Sequence, residues 1–254
     1  MLKFDYDKLY SNLMKACRMS FLDLQERYHQ ESFYAFGLFT TLDYDQIHIT
    51  ANTEAGLIRR AEYYLEQNKL NQNSLYVGYD LNEIKIMLRD IPTDWAYHNP
   101  EDYASLFQPI HEACQARRQQ IKQIQQVYYQ KLDNPSQLSQ IIKPLNDQFL
   151  SMCLNVLHDL DIEGIFNAHQ SRESIRINLL LGNQSENERK EFCYELNPLS
   201  VFQLYEEELD IRDQLYTEMG SRREQAIKRS VAEALQKQRE DLANWEKRYG
   251  QRKN

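Results

Sequence analysis

Hydrophobic positions change their period several times along the chain, and each change marks an element. Between residues 5 and 28 they recur every three or four residues, at Leu9, Leu13, Ala16 or Cys17, Phe21 and Leu24, which predicts an amphipathic helix. From Ser32 to Asn52 two aromatic and β-branched runs, residues 33–41 and 46–51, flank the polar connection Leu42-Asp43-Tyr44-Asp45. That is the pattern of a β-hairpin with a loop of four or five residues. It is also the most hydrophobic stretch of the chain, so it should floor the core. His48 lies between Ile47 and Ile49 and is expected to face solvent or a groove.

Thr53-Glu54 opens a helix, capped by Thr53 or Asn52, with Leu57, Ala61, Tyr64 and Leu65 on one face. A short third strand is expected at residues 75–79, a short helix at 81–89, and a loop at 91–99 that holds Pro92, Trp95, Tyr97 and His98. Beyond Pro100 one helical stripe runs through Ile110, Cys114, Ile121 and Tyr128. A second runs from Pro135 through Ile141, Phe149, Val156 and Leu160, with Pro144 as a point of bending. Residues 174–181, SIRINLLL, alternate Ile175, Ile177, Leu179 and Leu181 with Arg176 and Asn178, which predicts a strand with one buried face and, Leu180 apart, one polar face. Ser185 and Glu188 have the spacing of a capping box, and Leu196-Asn197-Pro198 separates that helix from a further one starting near Ser200. Residues 209–249 differ in kind: unbroken helix formers with a thin stripe at Leu215, Met219, Val231, Leu235, Leu242 and Trp245, heptad-like from Val231 onward except at Gln238. The expected fold class is therefore α+β. A small, mostly antiparallel sheet (hairpin 33–51, strands 75–79 and 174–181) is packed by several helices in a domain of residues 1–208, and residues 209–254 form a long C-terminal helical extension.

At 254 residues with 7 Gly and 6 Pro, the composition favours long helices and few loops, and the chain is long enough to fold without staples. Four Cys at 17, 114, 153 and 193 form no CxxC and read as buried apolar groups in a reducing compartment. The charged N-terminus MLKFDYDKLY is not a signal peptide, and no apolar run is long enough to cross a bilayer, so a cytoplasmic location with no membrane partner is expected. The net charge of -8 is uneven. Residues 212–254 carry 11 Lys/Arg and 7 Asp/Glu, a net of +4, and the remaining 19 and 31 give residues 1–211 a net of -12. An acidic body repels nucleic acid and steers basic partners toward itself.

The expected chemistry is mostly negative. Asp159-Leu160-Asp161-Ile162-Glu163-Gly164 begins like a calcium loop, but its twelfth position is Gln170 instead of a bidentate Glu. His111-Glu112 begins like HExxH, but Gln115 replaces the second His. Phosphate-cradling glycine motifs and a GxSxG are missing, so no catalytic residue, metal or cofactor is assigned. The candidate ligand- or partner-binding positions are Trp95, Tyr97 and His98 in the aromatic loop, and Arg172 and Arg176 at the 174–181 strand. The loop aromatics could instead plug the core, and the two arginines could pair with acidic groups of the chain itself.

The order of certain phrases resembles a known family. A helix leads to FYAFGLFTTLDY, then come ITANTE, DWAYH, DIEGIF, RINLLLGNQS and the ELNP turn. This resembles the bacterial domain-of-unknown-function family 4303, over roughly residues 6–208. The likeness implies an α+β fold and a place in contact-dependent toxin and immunity systems; it implies no reaction and transfers no functional residues. The expected function is a non-enzymatic binding protein, an immunity-type protein that recognises a basic toxin. The alternatives are an enzyme with a pocket near Trp95–His98, or an assembly protein that forms a homodimer through residues 209–249.

Overall fold

The computed structural model describes residues 4–70, 76–129 and 135–249. Helix α1 (Tyr6–Arg27) opens the chain, with Asp5 accepting from the Lys8 N–H as its cap, and buries the predicted stripe from Leu9 to Leu24. The hairpin follows as β1 (Phe33–Thr40) and β2 (Ile47–Thr53), joined through residues 41–46, a slightly longer loop than expected. Tyr44 holds this loop in a left-handed conformation, φ 53°. Thr53 is the cap of α2 (Glu54–Leu70): its hydroxyl accepts from the Gly56 N–H at 2.9 Å.

The expected strand at 75–79 does not form. Leu75 lies outside the described residues, and Tyr76 to Gly78 make a turn with Gly78 at φ 89°. A left-handed glycine two residues past Tyr76 ends any extended run there. The third strand is instead β3 (Tyr97–His98), inside the stretch read as a loop; it pairs antiparallel with β2 through Thr50–His98 and Ala51–Tyr97. Between them α3 (Leu81–Leu88) starts on a capping box of Asp80 and Glu83.

Two long helices, α4 (Ala104–Tyr129) and α5 (Pro135–Ile162), precede β4 (Arg176–Leu181), and Gly164 at φ 75° ends the second of them. The strand β4 runs parallel to β1, so the sheet order is β3-β2-β1-β4 and the sheet is mixed. Its first face is apolar: Phe36, Leu38, Ile47, Ile49, Ile177 and Leu179 pack against α1, α4 and α5. Its second face lies under α2, α3, α6 (Glu186–Leu196) and α7 (Leu199–Tyr249). Helix α6 opens on the predicted Ser185–Glu188 capping box. At 51 residues α7 is about 77 Å long and runs without a break through Leu209. Val201, Tyr205, Leu209, Leu215 and Met219 bury its first half, whereas Val231, Leu235 and Leu242 are each at least half exposed. No helix among the described residues is long and apolar enough to cross a membrane.

Side-chain amides complete the sheet where strands are missing. Asn197 accepts from the Ile177 N–H at 2.8 Å and donates to the Ile177 carbonyl at 2.7 Å. Gln184 accepts from Leu181 N–H and donates to the Leu179 carbonyl. Gln170 pairs with both backbone groups of Phe33 in the same way. Each carboxamide presents one donor and one acceptor, as a neighbouring strand would, so the outer edge of β4 offers little to a foreign strand.

Gly37 sits at the centre of this sheet, and a Cβ there would meet the Asn178 carbonyl oxygen at 2.6 Å and Leu180 at 2.9 Å. Gly37→Ala is expected to destabilise the fold by about 2–3 kcal/mol, because backbone of a central strand must shift. Chemical denaturation measures it; a change below about 0.5 kcal/mol refutes the close approach.

Candidate functional site

Strand alternation and the observed register put Gly37 and Phe39 of β1, His48, Thr50 and Asn52 of β2, His98 of β3, and Arg176, Asn178 and Leu180 of β4 on the second face. This is the polar face that SIRINLLL predicts, but it is covered: β2 is buried throughout, and β4 is buried up to Leu180. The polar groups therefore have to satisfy one another.

At one end stand His48 and His98, Nε2 to Nε2 at 3.4 Å, with Phe39 stacked on His48. His48 is 6% exposed, so the expectation that it faces solvent or a groove is wrong; β3 closes over it. The tautomers follow from the neighbours. The Thr50 hydroxyl donates to the Pro92 carbonyl, which leaves its oxygen to accept from His98 Nδ1–H; His98 Nε2 is then bare and accepts from His48 Nε2–H. His98 must be neutral for this chain to hold, because its Nε2 accepts. Burial, with His98 and His111 beside it, pushes His48 down to about 3, and burial lowers His98 as well.

At the other end Arg176, 6% exposed, lies over the Tyr205 ring at 4.3 Å and donates to Glu208 at 2.8 Å, with Asp90 at 3.6 Å. Arg89 bridges Glu208 and Glu54 at 2.6 and 2.7 Å and covers the Tyr34 ring. Arg189 donates to Asp90 at 2.8 Å, Arg212 pairs with Glu186, and the Tyr205 hydroxyl donates to Asp90. Four guanidiniums thus meet five carboxylates, Asp213 beside Arg212 included, around a cavity of about 210 Å³ lined by Arg89, Asp90, Glu208, Leu209 and Arg212. The balance leaves no surplus positive charge for an external anion; the cluster is a clasp that holds α3, α6 and α7 on the sheet.

The sequence candidates do not converge on one place. Trp95 is in the core beside Tyr34, its Nε1–H donating to the Arg89 carbonyl at 3.1 Å. Tyr97 and His98 are consecutive on β3 and so point to opposite faces; Tyr97 packs with Tyr28 and Phe33 and donates to Glu31 at 3.0 Å. Arg172 precedes the strand and binds Asp161 and the carbonyls of Ile175 and Leu196, tying the end of α5 to β4 and α6. For both arginines the intramolecular pairing is what the structure shows.

The two motif-like stretches turn their side chains to partners within the chain. Asp159, Asp161 and Glu163 turn to three different partners, Tyr10, Arg172 and Arg18, and His111 hydrogen-bonds the Ile47 carbonyl. Among the described residues no three His, Cys, Asp or Glu are grouped to hold a metal. All four cysteines are free and buried; burial pushes the thiols of Cys114 and Cys193 up to about 12 and raises those of Cys17 and Cys153 as well. None is a thiolate near neutral pH.

A fold of this kind, an α+β layer with a charge-clasped face, defines a class of architecture and no activity. The chain belongs to the domain of unknown function family DUF4303, whose model matches residues 13–198. No curated protein and no solved structure matches it significantly. The family match ends at Pro198, one residue before α7 begins.

The neutral His48 gives the fold a defined acid sensitivity. Its native value near 3 lies below the unfolded value of 6.5, so its contribution is complete above pH 6.5 and is lost as pH falls from there toward 3. At pH 5 this one group is expected to remove about 2 kcal/mol. His48→Gln should flatten the stability profile between pH 6.5 and 4, read by denaturant midpoints; an unchanged slope refutes the assignment.

Proposed function

We propose that this chain is a non-catalytic binding protein that recognises a basic protein partner, in the manner of an immunity protein against a basic toxin. The observation that carries this reading is the outer ridge of α7. Glu206, Glu207, Asp210, Asp213 and Glu218 are all exposed along about 18 Å of helix, beside a shallow groove lined by Asp210, Asp213, Thr217 and Glu218. Arg212, the single cation in residues 199–218, pairs inward with Glu186 and Asp90 and also with the ridge's own Asp213, and Glu218 lies 3.6 Å from Arg222, so Glu206, Glu207 and Asp210 carry the charge of the ridge. Leu204, Ile211 and Tyr216 are exposed on the same half of the helix and provide the apolar contact area that such an interface needs. The arginines and carboxylates of the sheet's second face are occupied with each other, as in a scaffold. Four free buried thiols agree with a reducing, cytoplasmic setting.

Affinity capture by the full chain from its native cells at low salt is expected to retain a basic protein that elutes as salt rises. With that protein in hand, Glu206→Lys/Glu207→Lys/Asp210→Lys should slow association at least ~10-fold while leaving the melting temperature unchanged. Retention of no protein, or binding indifferent to salt and to the triple variant, overturns the reading.

The second reading, assembly, rests on the distal half of α7, where Val231, Leu235, Leu242 and Trp245 are exposed at heptad spacing. Light scattering is expected to find a dimer for the full chain and a monomer for a chain ending at Arg222, which keeps the buried Leu215 and Met219. Two monomers exclude it.

A further inference from the structure

Arg117 is a buried charge that neither the clasp nor the docking ridge explains. It projects from α4 between α1 and α5 and is 0% exposed. Its Nη2 donates to the Leu145 carbonyl at 2.8 Å and to Asn146 Oδ1 at 2.9 Å, and its Nε donates to the Tyr6 hydroxyl at 3.3 Å. The plane lies over Phe149 at 4.7 Å and near Tyr44 at 5.9 Å. Every partner is uncharged, and Nη1 is buried with no partner among the described residues. A guanidinium out of water without a counter-ion is costly, and each of the other deeply placed arginines, Arg89, Arg176, Arg189 and Arg212, meets a carboxylate.

Two residues that touch this cation, Tyr44 and Asn146, also form the wall of a groove of about 470 Å³ between α4, α5, the hairpin loop and α6. Apolar Leu138, Ile142, Leu150 and Leu181 line one part of it, and Gln125, Ser139 and Lys143 add polar hydrogens. Its two acids are engaged: Asp147 pairs with Lys143 at 2.8 Å, and Glu188 closes the α6 capping box. Lys143 against Asp147 and Glu188 leaves the rim a net charge of -1, and the unmatched positive charge is the one behind Asn146.

We infer that this groove binds a small organic carboxylate. Rotation of the half-buried Asn146 amide opens the guanidinium to the groove; the ligand's carboxylate then takes the place of Oδ1 on Nη2 and reaches Nη1, a two-pronged pairing that a planar guanidinium favours. The apolar body of the ligand lies on Leu138, Ile142 and Leu150. Asp147 and Glu188 at the rim disfavour a dianion, so a carboxylate with a short hydrocarbon chain fits better than inorganic phosphate. This site lies on α4 and α5, away from the α7 ridge, and does not depend on the protein-binding reading.

Thermal denaturation of the full chain at pH 7 tests it, with sodium butyrate, acetate or phosphate against sodium chloride at equal ionic strength. Butyrate is expected to raise the melting temperature saturably by about 3–5 °C, acetate less, and phosphate no more than chloride. Asn146→Asp places a carboxylate against Arg117 from within the chain; it should raise the melting temperature in chloride and abolish the butyrate effect. No saturable shift with either carboxylate, an equal shift with phosphate, or a butyrate effect that survives in Asn146→Asp overturns the assignment.

Discussion

The position of Arg176 organises half of this molecule. A charged side chain on the covered face of an inner-layer strand has to be matched where it stands, because the cost of an unmatched charge exceeds anything a single packing contact returns. Asp90 at the end of α3 and Glu208 in α7 supply the match, and Arg89, Arg189 and Arg212 then balance those carboxylates in turn. Removing Glu208 alone would leave two guanidiniums short of a partner, a loss on the order of 3–5 kcal/mol. That is why the first half of α7 is part of the body although the family match stops at Pro198: its docking residues Tyr205, Glu208, Leu209 and Arg212 complete a face that residues 13–198 leave polar.

The apolar face and the strand edges obey a different constraint, backbone hydrogen bonding. A four-stranded sheet with a two-residue strand at one border has few ladder partners, and carboxamides supply the deficit at Phe33, Ile177, Leu179 and Leu181. Two of the family-like phrases acquire a physical meaning from this. The glutamine of GNQS and the asparagine of ELNP are edge seals, Gln184 and Asn197. Gln170, whose neutral amide disqualifies the calcium pattern, is the same kind of seal at β1. Phrases of this sort report how the sheet is finished, and so they identify a fold without indicating a reaction.

Elements governed by local rules were legible in the sequence. Helix α1 follows from a three-four period, the hairpin from two β-branched runs, and α6 from the Ser185–Glu188 spacing, each decided by residues within a turn or two. The strand at 75–79 failed where local and distant demands conflict: LYVGY has strand composition, but Gly78 turns the chain left-handed. Tyr97 and His98 pair with β2 because Thr50 and Ala51 lie within reach, which no window around them reveals. The candidate sites failed for the same reason. SIRINLLL shows that one face is polar, yet whether Arg176 meets water, a ligand or a carboxylate depends on Asp90 and Glu208, 86 and 32 residues away by their numbering. His48 reads as a solvent-facing strand residue until a second histidine from β3 covers it. Arg117 carried no signal at all, since an arginine amid the Gln-rich stretch 115–130 looks like surface.

The two halves of α7 obey opposite rules along one continuous helix. Up to Met219 it is a lid, apolar and clasped underneath and acidic above; beyond Arg222, which pairs with Glu83, Val231, Leu235 and Leu242 are exposed. An isolated helix of that length gains little from propensity alone, because most helical stability in proteins comes from burying an apolar face. The exposed stripe is thin, about one residue per turn, enough for a partner helix and too little for a core. The two halves also differ in charge: the proximal ridge is acidic, whereas residues 212–254 carry the net of +4, so acid and apolar stripe belong to different stretches of one helix. Arg212 divides its guanidinium between Asp90 and Glu186 underneath and Asp213 above, so the charge of the proximal ridge rests on Glu206, Glu207 and Asp210, within the two turns before it.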